Sequence, residues 1–328
     1  MMKYRLQIVT FFAVVIVVLL GSRGFAEKID VVSVANIGEA TGILRAEESG
    51  APVPPADNSV STASAMLGET AQLSPKPPFY RVTNDPLPEI GSESAIIFDV
   101  QSGEKYLDIA SAKRWPIASL SKLMTAVVVY ERLDLDSKIV LAKEDFADGD
   151  NPIFTAGETY KTRDLLKVML VASRNTAANA LARSYGYETF LREMNDKAKG
   201  WGMDNTNFDD PSGLSVSNQS SADDLLKLVR GVTSERPEIW KTTENAKVSI
   251  KDAETGKVRN FTSTNQFVSR RDFYGGKTGY TLEANGNLIS VFLYGKRTIG
   301  IIVLGSADRF GDTEKLFTWF TNDFRTSN

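Results

Sequence analysis

The sequence contains neither cysteine nor histidine, and these two absences exclude several kinds of enzyme. Without cysteine, the chain can form no disulfide, no thiol nucleophile, no cysteine-ligated zinc site and no lipoprotein-type acylated cysteine. Without histidine, it can form no Ser-His-Asp triad, no His-Glu-x-x-His zinc site and no imidazole base. A hydrolase of this composition must take its general base from a carboxylate, a lysine or a metal-bound water held by oxygen ligands.

The charge and composition of the chain limit the kinds of molecule that it is expected to bind. The 328 residues include 38 Lys and Arg against 41 Asp and Glu, a formal charge of −3, and no long basic run, so no nucleic-acid partner is expected. An apolar share of 42% is typical of a globular protein with one large domain or two small ones. No oxygen-rich cluster has the spacing of metal ligands, so we expect no metal and no other cofactor.

The N-terminus has the pattern of a secretory signal. Two basic residues among the first five precede an apolar run over residues 8–20, and Gly24-Phe25-Ala26 offers a small-residue cleavage site. We therefore predict that residues 1–26 are a cleaved signal or, alternatively, a retained anchor that crosses the membrane with residues 6–22. In both cases the rest of the chain is expected to be extracytoplasmic, secreted or anchored in the cell envelope.

A proline-rich stretch follows this segment. Eight of the twelve prolines lie between Pro52 and Pro88, and residues 59–65 are small and mostly polar. Such a stretch buries too little apolar area to offset the entropy lost on ordering. We therefore predict a flexible linker over residues 27–88 and a folded catalytic domain over residues 89–328.

The pattern of the folded part predicts strands near both of its ends and helices between them. Strand patterns occur at 94–100, 104–109, 246–251, 257–261, 287–294 and 297–305. Helical periodicity covers 118–133, 162–172, 176–185, 188–199, 221–233 and 313–324. This order predicts an α+β domain in which strands from both ends share one antiparallel sheet.

The first chemical motif lies at the start of a helix that is apolar on almost every side and is therefore predicted to be buried. Ser119 lies in its first turn, and Lys122, three residues later, shares its face. Burial lowers the pKa of a lysine because it disfavours the charged amine, so Lys122 could take the proton of the Ser119 hydroxyl. The alternative for an isolated Ser-x-x-Lys is a capping serine beside a lysine that reaches solvent.

Two further motifs follow in order. Ser173-Arg174-Asn175 lies in a break between two predicted helices, and Lys277-Thr278-Gly279 opens a strand. The order Ser-x-x-Lys, Ser-x-Asn, Lys-Thr-Gly is the motif set of class A β-lactamases and penicillin-binding proteins. A second Ser-x-Asn, Ser263-Thr264-Asn265, precedes Lys277 by only 14 residues in a strand-turn context, so we take the first copy as catalytic. The three motifs together predict a serine-lysine acyltransferase site.

The residues around these motifs closely resemble those of the D-alanyl-D-alanine carboxypeptidases, the low-molecular-mass penicillin-binding proteins. The matching stretches are 115–125, 155–159, 165–179, 205–214 and 275–281. The resemblance extends from about Ser94 to Phe324 and implies a β-lactamase/DD-peptidase-like fold. Two residues depart from the family pattern: Thr176 replaces a common aspartate, and Arg174 replaces a small residue, which would narrow the rim of the cleft or change its charge. The sequence does not determine their effect on substrate choice.

The resemblance implies a serine-type D-Ala-D-Ala carboxypeptidase that removes the terminal D-alanine from peptidoglycan stem peptides. Ser119 would attack the carbonyl between the two D-alanines and form an acyl-enzyme, with Lys122 as the general base. Ser173 would pass a proton toward the leaving amine. Asn175 would hold the Lys122 ammonium or the substrate amide. β-Lactams would acylate the same serine and act as covalent inhibitors.

The third motif is implied to bind the substrate. Lys277 and Thr278 would hold the terminal carboxylate, and Gly279 would let the strand approach closely. The backbone N–H groups of Tyr280 and of the nucleophile would form the oxyanion hole. Arg309 would add positive potential near the carboxylate.

Several alternatives stay open at the level of sequence. A class A-like β-lactamase needs a glutamate that activates water, and Glu188-Thr-Phe-Leu-Arg192 is the nearest match to its usual context. A DD-endopeptidase would use the same residues on a bulkier substrate. A non-enzymatic peptidoglycan-binding module would have no use for Lys122. Many relatives carry a C-terminal β-domain with a membrane helix that is not found before Asn328, so any tether is expected in residues 6–22.

Overall fold

The computed structural model describes residues 78–147 and 153–327. The predicted signal or anchor and the linker up to residue 77 lie outside these ranges. Within them, no helix is both long and apolar enough to cross a membrane.

The strands of the described ranges are, in chain order, β1 (Phe79–Arg81), β2 (Ser94–Asp99), β3 (Lys105–Ile109), β4 (Trp115–Pro116), β5 (Lys138–Val140), β6 (Thr159–Lys161), β7 (Gln219–Ser220), β8 (Lys247–Lys251), β9 (Val258–Thr262), β10 (Phe273–Thr281), β11 (Asn285–Tyr294), β12 (Arg297–Ser306) and β13 (Phe324–Thr326). The α-helices are α1 (Lys122–Arg132), α2 (Thr162–Val171), α3 (Asn175–Tyr185), α4 (Tyr187–Gly200), α5 (Ala222–Glu235), α6 (Glu238–Thr243) and α7 (Arg309–Asp323).

The central sheet joins strands from both ends of the folded unit. Its order is β10-β11-β12-β2-β3, and every neighbouring pair is antiparallel. Along β2, Ile96 and Phe98 pack into the core on the side of α1, whereas Ala95 and Ile97 pack with residues of α7 on the other side. Because successive side chains of a strand point to opposite faces, a strand buried on both faces carries a continuous apolar run. The predicted α+β fold is confirmed.

Helices α2 to α6 surround α1, which is the buried centre of the helical layer. The α1 residues from Lys122 to Val129 are all buried. The sequence pattern predicted one helix from residue 118, but residues 118–121 form a 3₁₀ turn. Ala118 has a positive φ of 49°, which an α-helix does not allow, and the tighter turn ends where α1 begins.

The two ends of the folded unit pair with each other. β1 pairs with β13 in antiparallel register, with Phe79 opposite Thr326. Phe79 is buried, and its ring lies 5.4 Å from that of Phe320 in α7. Residues 79–81 belong to the range predicted as flexible linker, so the folded unit begins before the predicted boundary at residue 89. The surrounding prolines concealed this strand because a single buried aromatic side chain anchors it.

A partly buried ion pair fixes the turn between β2 and β3 to β12. Arg297 Nη2 donates to Asp99 Oδ1 at 2.6 Å, and the backbone N–H and the hydroxyl of Ser102 donate to the same oxygen at 2.7 and 2.8 Å. Burial alone would raise the pKa of Asp99, but the hydrogen bonds from Arg297 and Ser102 outweigh it and hold this pKa below its ordinary value.

Candidate active site

Ser119 is partly exposed in an otherwise buried stretch. Its neighbours Ala118 and Leu120 are 2% and 0% exposed. The positive φ of Ala118 turns the chain sharply before the serine, and the buried 3₁₀ turn holds the serine backbone in place. A non-glycine residue in this conformation is uncommon, and such strain is often found at functional sites.

Lys122 is fully buried and reaches the serine. Its Nζ donates to Ser119 Oγ at 2.8 Å, to Asn175 Oδ1 at 2.7 Å and to the backbone oxygen of Ser212. A neutral amine has two N–H groups and one lone pair, and the two carbonyl oxygens can only accept. When Lys122 is neutral, they take the two N–H groups and leave the lone pair facing the Ser119 hydroxyl. This is the geometry that a general base requires.

The second motif lies in the break between α2 and α3, as the sequence predicted. Ser173 has a φ of 56°, and Asn175 is the first residue of α3. The Ser173 hydroxyl accepts a hydrogen bond from Lys277 Nζ at 2.8 Å. Since Asn175 Oδ1 binds Lys122, the second motif contacts both of the other motifs.

The third motif lies on β10, the edge strand beside the 3₁₀ turn. Lys277 is 1% exposed, and its amine also donates to the backbone oxygen of Thr278 at 2.9 Å. Burial lowers its pKa well below the ordinary value, and the charges of Lys122 and Arg309 lower it further. An added Cβ at Gly279 would lie only 3.2 Å from the backbone nitrogen of Ser119, which accounts for the glycine at this close approach.

Tyr280 lies near the end of β10, and Arg309 contacts this strand. Tyr280 is 59% exposed. Arg309, at the start of α7, donates from Nη1 to the backbone oxygen of Gly279 at 2.9 Å, and burial lowers its pKa. The guanidinium therefore brings positive charge to the edge of the third motif, where the family resemblance implied it.

The second Ser-x-Asn copy also belongs to this site, although sequence reasoning set it aside. Thr264 is exposed, and its Oγ1 lies 2.7 Å from Oγ1 of Thr278. The Thr264 backbone N–H donates to the oxygen of Val171, two residues before Ser173. The repeated motif so close to Lys277 was the available signal for this residue.

A loop over residues 209–218 forms another side of the site. Ser212 lies in the stretch 205–214 that resembles the family, but the sequence assigned it no role, and its backbone oxygen binds Lys122. Gly213 has a φ of 82°, and a Cβ there would lie 2.0 Å from the backbone oxygen of Ala118. The loop therefore packs directly against the peptide group that precedes the nucleophile.

The two departures from the family pattern have different surroundings. Thr176 is 2% exposed within α3. The Arg174 guanidinium carbon lies 5.8 Å from the ring centroid of Phe261, on strand β9. Arg174 therefore borders the hairpin of β8 and β9 and directly precedes Asn175 of the site.

The structure also shows where the glutamate considered for a β-lactamase lies and whether acidic side chains cluster as metal ligands. Glu188, the glutamate considered for a β-lactamase, is an exposed residue in the first turn of α4. Across residues 78–147 and 153–327, no group of three or more Asp, Glu, His or Cys side chains could hold a metal ion.

Comparison with known proteins identifies the family. The family described as D-alanyl-D-alanine carboxypeptidase matches residues 81–308. The chain belongs to this family. It is 34% identical over 242 residues to the D-alanyl-D-alanine endopeptidase of Escherichia coli (strain K12), with 71% of this chain and 78% of that protein covered. It is 29% identical to the D-alanyl-D-alanine carboxypeptidase DacC of the same organism, with 73% and 63% covered.

Solved structures of D-alanyl-D-alanine carboxypeptidases and penicillin-binding proteins have the same fold. The carboxypeptidase from Mycobacterium tuberculosis H37Rv matches with a TM-score of 0.68 at 26% identity, over 76% of this chain and 99% of that one. Penicillin-binding protein D2 from Listeria monocytogenes, in its cefotaxime-bound form, matches with a TM-score of 0.64 at 34% identity, over 71% and 98%. The predicted family and fold are confirmed, and the chain is a serine peptidase of the D-alanyl-D-alanine carboxypeptidase family.

Proposed function

We propose that this D-alanyl-D-alanine carboxypeptidase removes the terminal D-alanine from peptidoglycan stem peptides through an acyl-enzyme on Ser119. The observation that carries the proposal is the 2.8 Å contact between Lys122 Nζ and Ser119 Oγ. The carbonyl oxygens of Asn175 and Ser212 accept from the same amine, so they direct its lone pair toward the serine when the lysine is neutral.

Acylation forms one bond and breaks one. Lys122 takes the Ser119 proton as Oγ bonds to the carbonyl carbon between the two D-alanines. The backbone N–H groups of Ser119 and Tyr280 stabilise the oxyanion. The Ser173 hydroxyl passes a proton to the leaving nitrogen and receives the one that Lys122 took, the C–N bond breaks, and D-alanine departs. Water then hydrolyses the ester and restores the serine.

The terminal carboxylate binds at β10. The Thr278 hydroxyl donates to it, and the charges of Lys277 and Arg309 attract it. Burial lowers the pKa of Lys277, whereas a carboxylate bound beside the amine would favour its charged form. The charged amine still donates to Ser173 Oγ, so binding of the carboxylate also orients the proton relay.

The same proposal gives the protein a place in the cell envelope. Peptidoglycan lies outside the cytoplasm, and the predicted signal or anchor in residues 1–26 would direct the chain there. Residues 27–77 would then separate the folded unit from the membrane. β-Lactams act as covalent inhibitors in this scheme, which is supported by the cefotaxime-bound and ampicillin-bound forms of the Listeria protein.

Cleavage of peptide cross-links is the second candidate. Three curated relatives are named D-alanyl-D-alanine endopeptidases and are 32–34% identical to this chain, whereas DacC and DacD of Escherichia coli are 29% identical. An endopeptidase would use the same acyl-enzyme with a stem peptide, in place of a single D-alanine, as the leaving group.

The test is intact-mass spectrometry of the full chain with benzylpenicillin, beside Ser119→Ala. Ser121→Ala is the matched control, because the Ser121 hydroxyl donates to the Ala118 backbone oxygen and faces no motif residue in the described contacts. We expect one penicilloyl adduct on the wild type and on the control, and none on Ser119→Ala. Release of D-alanine from a pentapeptide, compared with cleavage of a cross-linked dimer, then separates the two substrates.

Two other results would overturn the proposal. Rapid conversion of penicillin with no lasting adduct would indicate a β-lactamase. Neither adduct nor turnover, together with no cleavage of either peptide, would exclude acyl transfer by Ser119.

A further inference from the structure

The Asp210 carboxylate organises the loop that touches the catalytic lysine. Its Oδ1 accepts from the backbone N–H and the hydroxyl of Ser212 and from the backbone N–H of Gly213, each at 2.6 Å. Its Oδ2 accepts from the backbone N–H of Ser215 at 2.7 Å. Because a carboxylate offers two acceptor oxygens, one side chain can fix this entire tight loop.

The same carboxylate is tied to the backbone that leads to the nucleophile. Asn218 Nδ2 donates to Asp210 Oδ2 at 2.7 Å, and Asn218 is fully buried. The Asn218 backbone oxygen accepts from the N–H of Ile117, two residues before Ser119, at 2.9 Å. The hydroxyl of Thr125, in α1, donates to the oxygen of Pro211 at 2.6 Å. The loop is therefore anchored both to α1 and to the segment before the 3₁₀ turn.

These contacts fix the backbone oxygen of Ser212 beside Ser119 and Lys122. The Ser212 backbone oxygen accepts from Lys122 Nζ and lies 3.4 Å from Ser119 Oγ. As an obligate acceptor, it holds one N–H of the amine away from the serine. If this oxygen moves, the Lys122 amine can rotate and its lone pair no longer has a fixed direction.

We propose that Asp210 is a positioning residue for the general base. It fixes the Ser212 carbonyl, which in turn aims the Lys122 lone pair at Ser119. The inference rests on the proposed function of Lys122. Asp210 itself binds loop groups and Asn218 in the described contacts, so it acts on the reaction through the loop and not by contact with the reacting atoms.

The test compares Asp210→Ala, Asp210→Asn and Asp209→Ala in the full chain. Asp209 is the matched control because it is exposed in the same loop and accepts from the Ser215 hydroxyl at 2.6 Å. The rate of acylation by benzylpenicillin is measured against its concentration, with the final fraction of acylated protein from intact mass. A displacement of about 1 Å in a reacting geometry can cost about 100-fold in rate.

We expect Asp210→Ala to lower the limiting acylation rate by about 10- to 100-fold. The half-saturating penicillin concentration and the one-to-one final adduct should not change. Asp210→Asn should recover part of the rate, because its amide oxygen can still accept at the Oδ1 position while the Oδ2 acceptor is lost. Asp209→Ala should stay within about twofold of the wild type.

The outcomes separate this inference from the proposed function. A wild-type rate for Asp210→Ala would overturn the positioning role alone. A reduced adduct yield with an unchanged rate in the protein that does react would indicate only a folding defect and would also overturn it. Absence of acylation in the wild type would overturn the proposed function and this inference together.

Discussion

Gly213→Ala tests whether the loop over residues 209–218 presses on the nucleophile. A Cβ at residue 213 would lie 2.0 Å from the backbone oxygen of Ala118 and 2.9 Å from the backbone nitrogen of Ser119. Ordinary contacts begin near 3.4 Å, so the loop and the Ala118–Ser119 peptide must separate by more than about 1 Å. That peptide carries an N–H of the proposed oxyanion hole.

Two separate costs can be distinguished. Gly213 has a φ of 82°, and an L-residue in this region costs about 1–2 kcal/mol wherever it occurs. Gly202→Ala is a matched control, because Gly202 has a φ of 70° but has no atom within 4 Å of an added Cβ. The control should lose stability by that amount and keep its activity. Gly213→Ala should in addition lose about 100-fold in acylation rate, from displacement of the oxyanion-hole N–H.

The assay is acylation of the full chain by a fluorescent penicillin, with a thermal melt of each variant. Rates are measured well below the melting temperature, so that both alanine variants are folded. If Gly213→Ala reacts within about threefold of the Gly202→Ala rate, the loop does not determine the position of the nucleophile and the reasoning from this contact is refuted.

Three further changes test other contacts. Thr264→Val should raise KM for peptides with a free terminal carboxylate by about 3- to 10-fold at constant kcat, since it removes one hydroxyl beside Thr278; a fall in kcat alone would contradict this. Asn175→Ala should slow penicillin acylation by about 10- to 100-fold while the adduct stays one-to-one, since Lys122 loses an acceptor; an unchanged rate would contradict it. Asp99→Asn should lower the free energy of unfolding in urea by about 1–3 kcal/mol at pH 7. Because folding lowers the Asp99 pKa, its ion pair stabilises above the unfolded pKa near 4 and is lost as the pH falls through the folded pKa. The gap between the two proteins should therefore narrow as the pH falls below about 4, and a constant gap would argue against the ion pair.

The sequence was sufficient to predict the parts of the site that follow from chain order and periodicity. A helix that is apolar on almost every side must be central, which places Lys122 in the interior and Ser119 just before it. A break between two helices exposes Ser173 to a cleft, and a glycine-rich strand lets Lys277 approach. The contacts of 2.7 and 2.8 Å between the motifs join Lys122 to Asn175 and Ser173 to Lys277, residues that are 53 and 104 positions apart, as the motif order indicated.

The remaining contacts could not be predicted because they involve backbone groups or local strain. The Ser212 oxygen is a main-chain atom, and no side chain identifies it. The 3₁₀ turn at residues 118–121 depends on a positive φ at Ala118, an alanine that any helix pattern would include. β1 depends on one aromatic residue, Phe79, in a proline-rich stretch, and periodicity needs several residues to give a signal.

The pairing of β1 with β13 has a consequence for fusion and rearrangement of the chain. The N–H of Ser327 donates to the backbone oxygen of Pro78 at 2.8 Å, so the points where the chain enters and leaves the folded unit are direct neighbours. A reporter fused after β13 would therefore emerge beside the start of β1. The same proximity lets a short peptide join the two points, so that the chain can be reopened in an exposed turn such as residues 253–257 as a circular permutant.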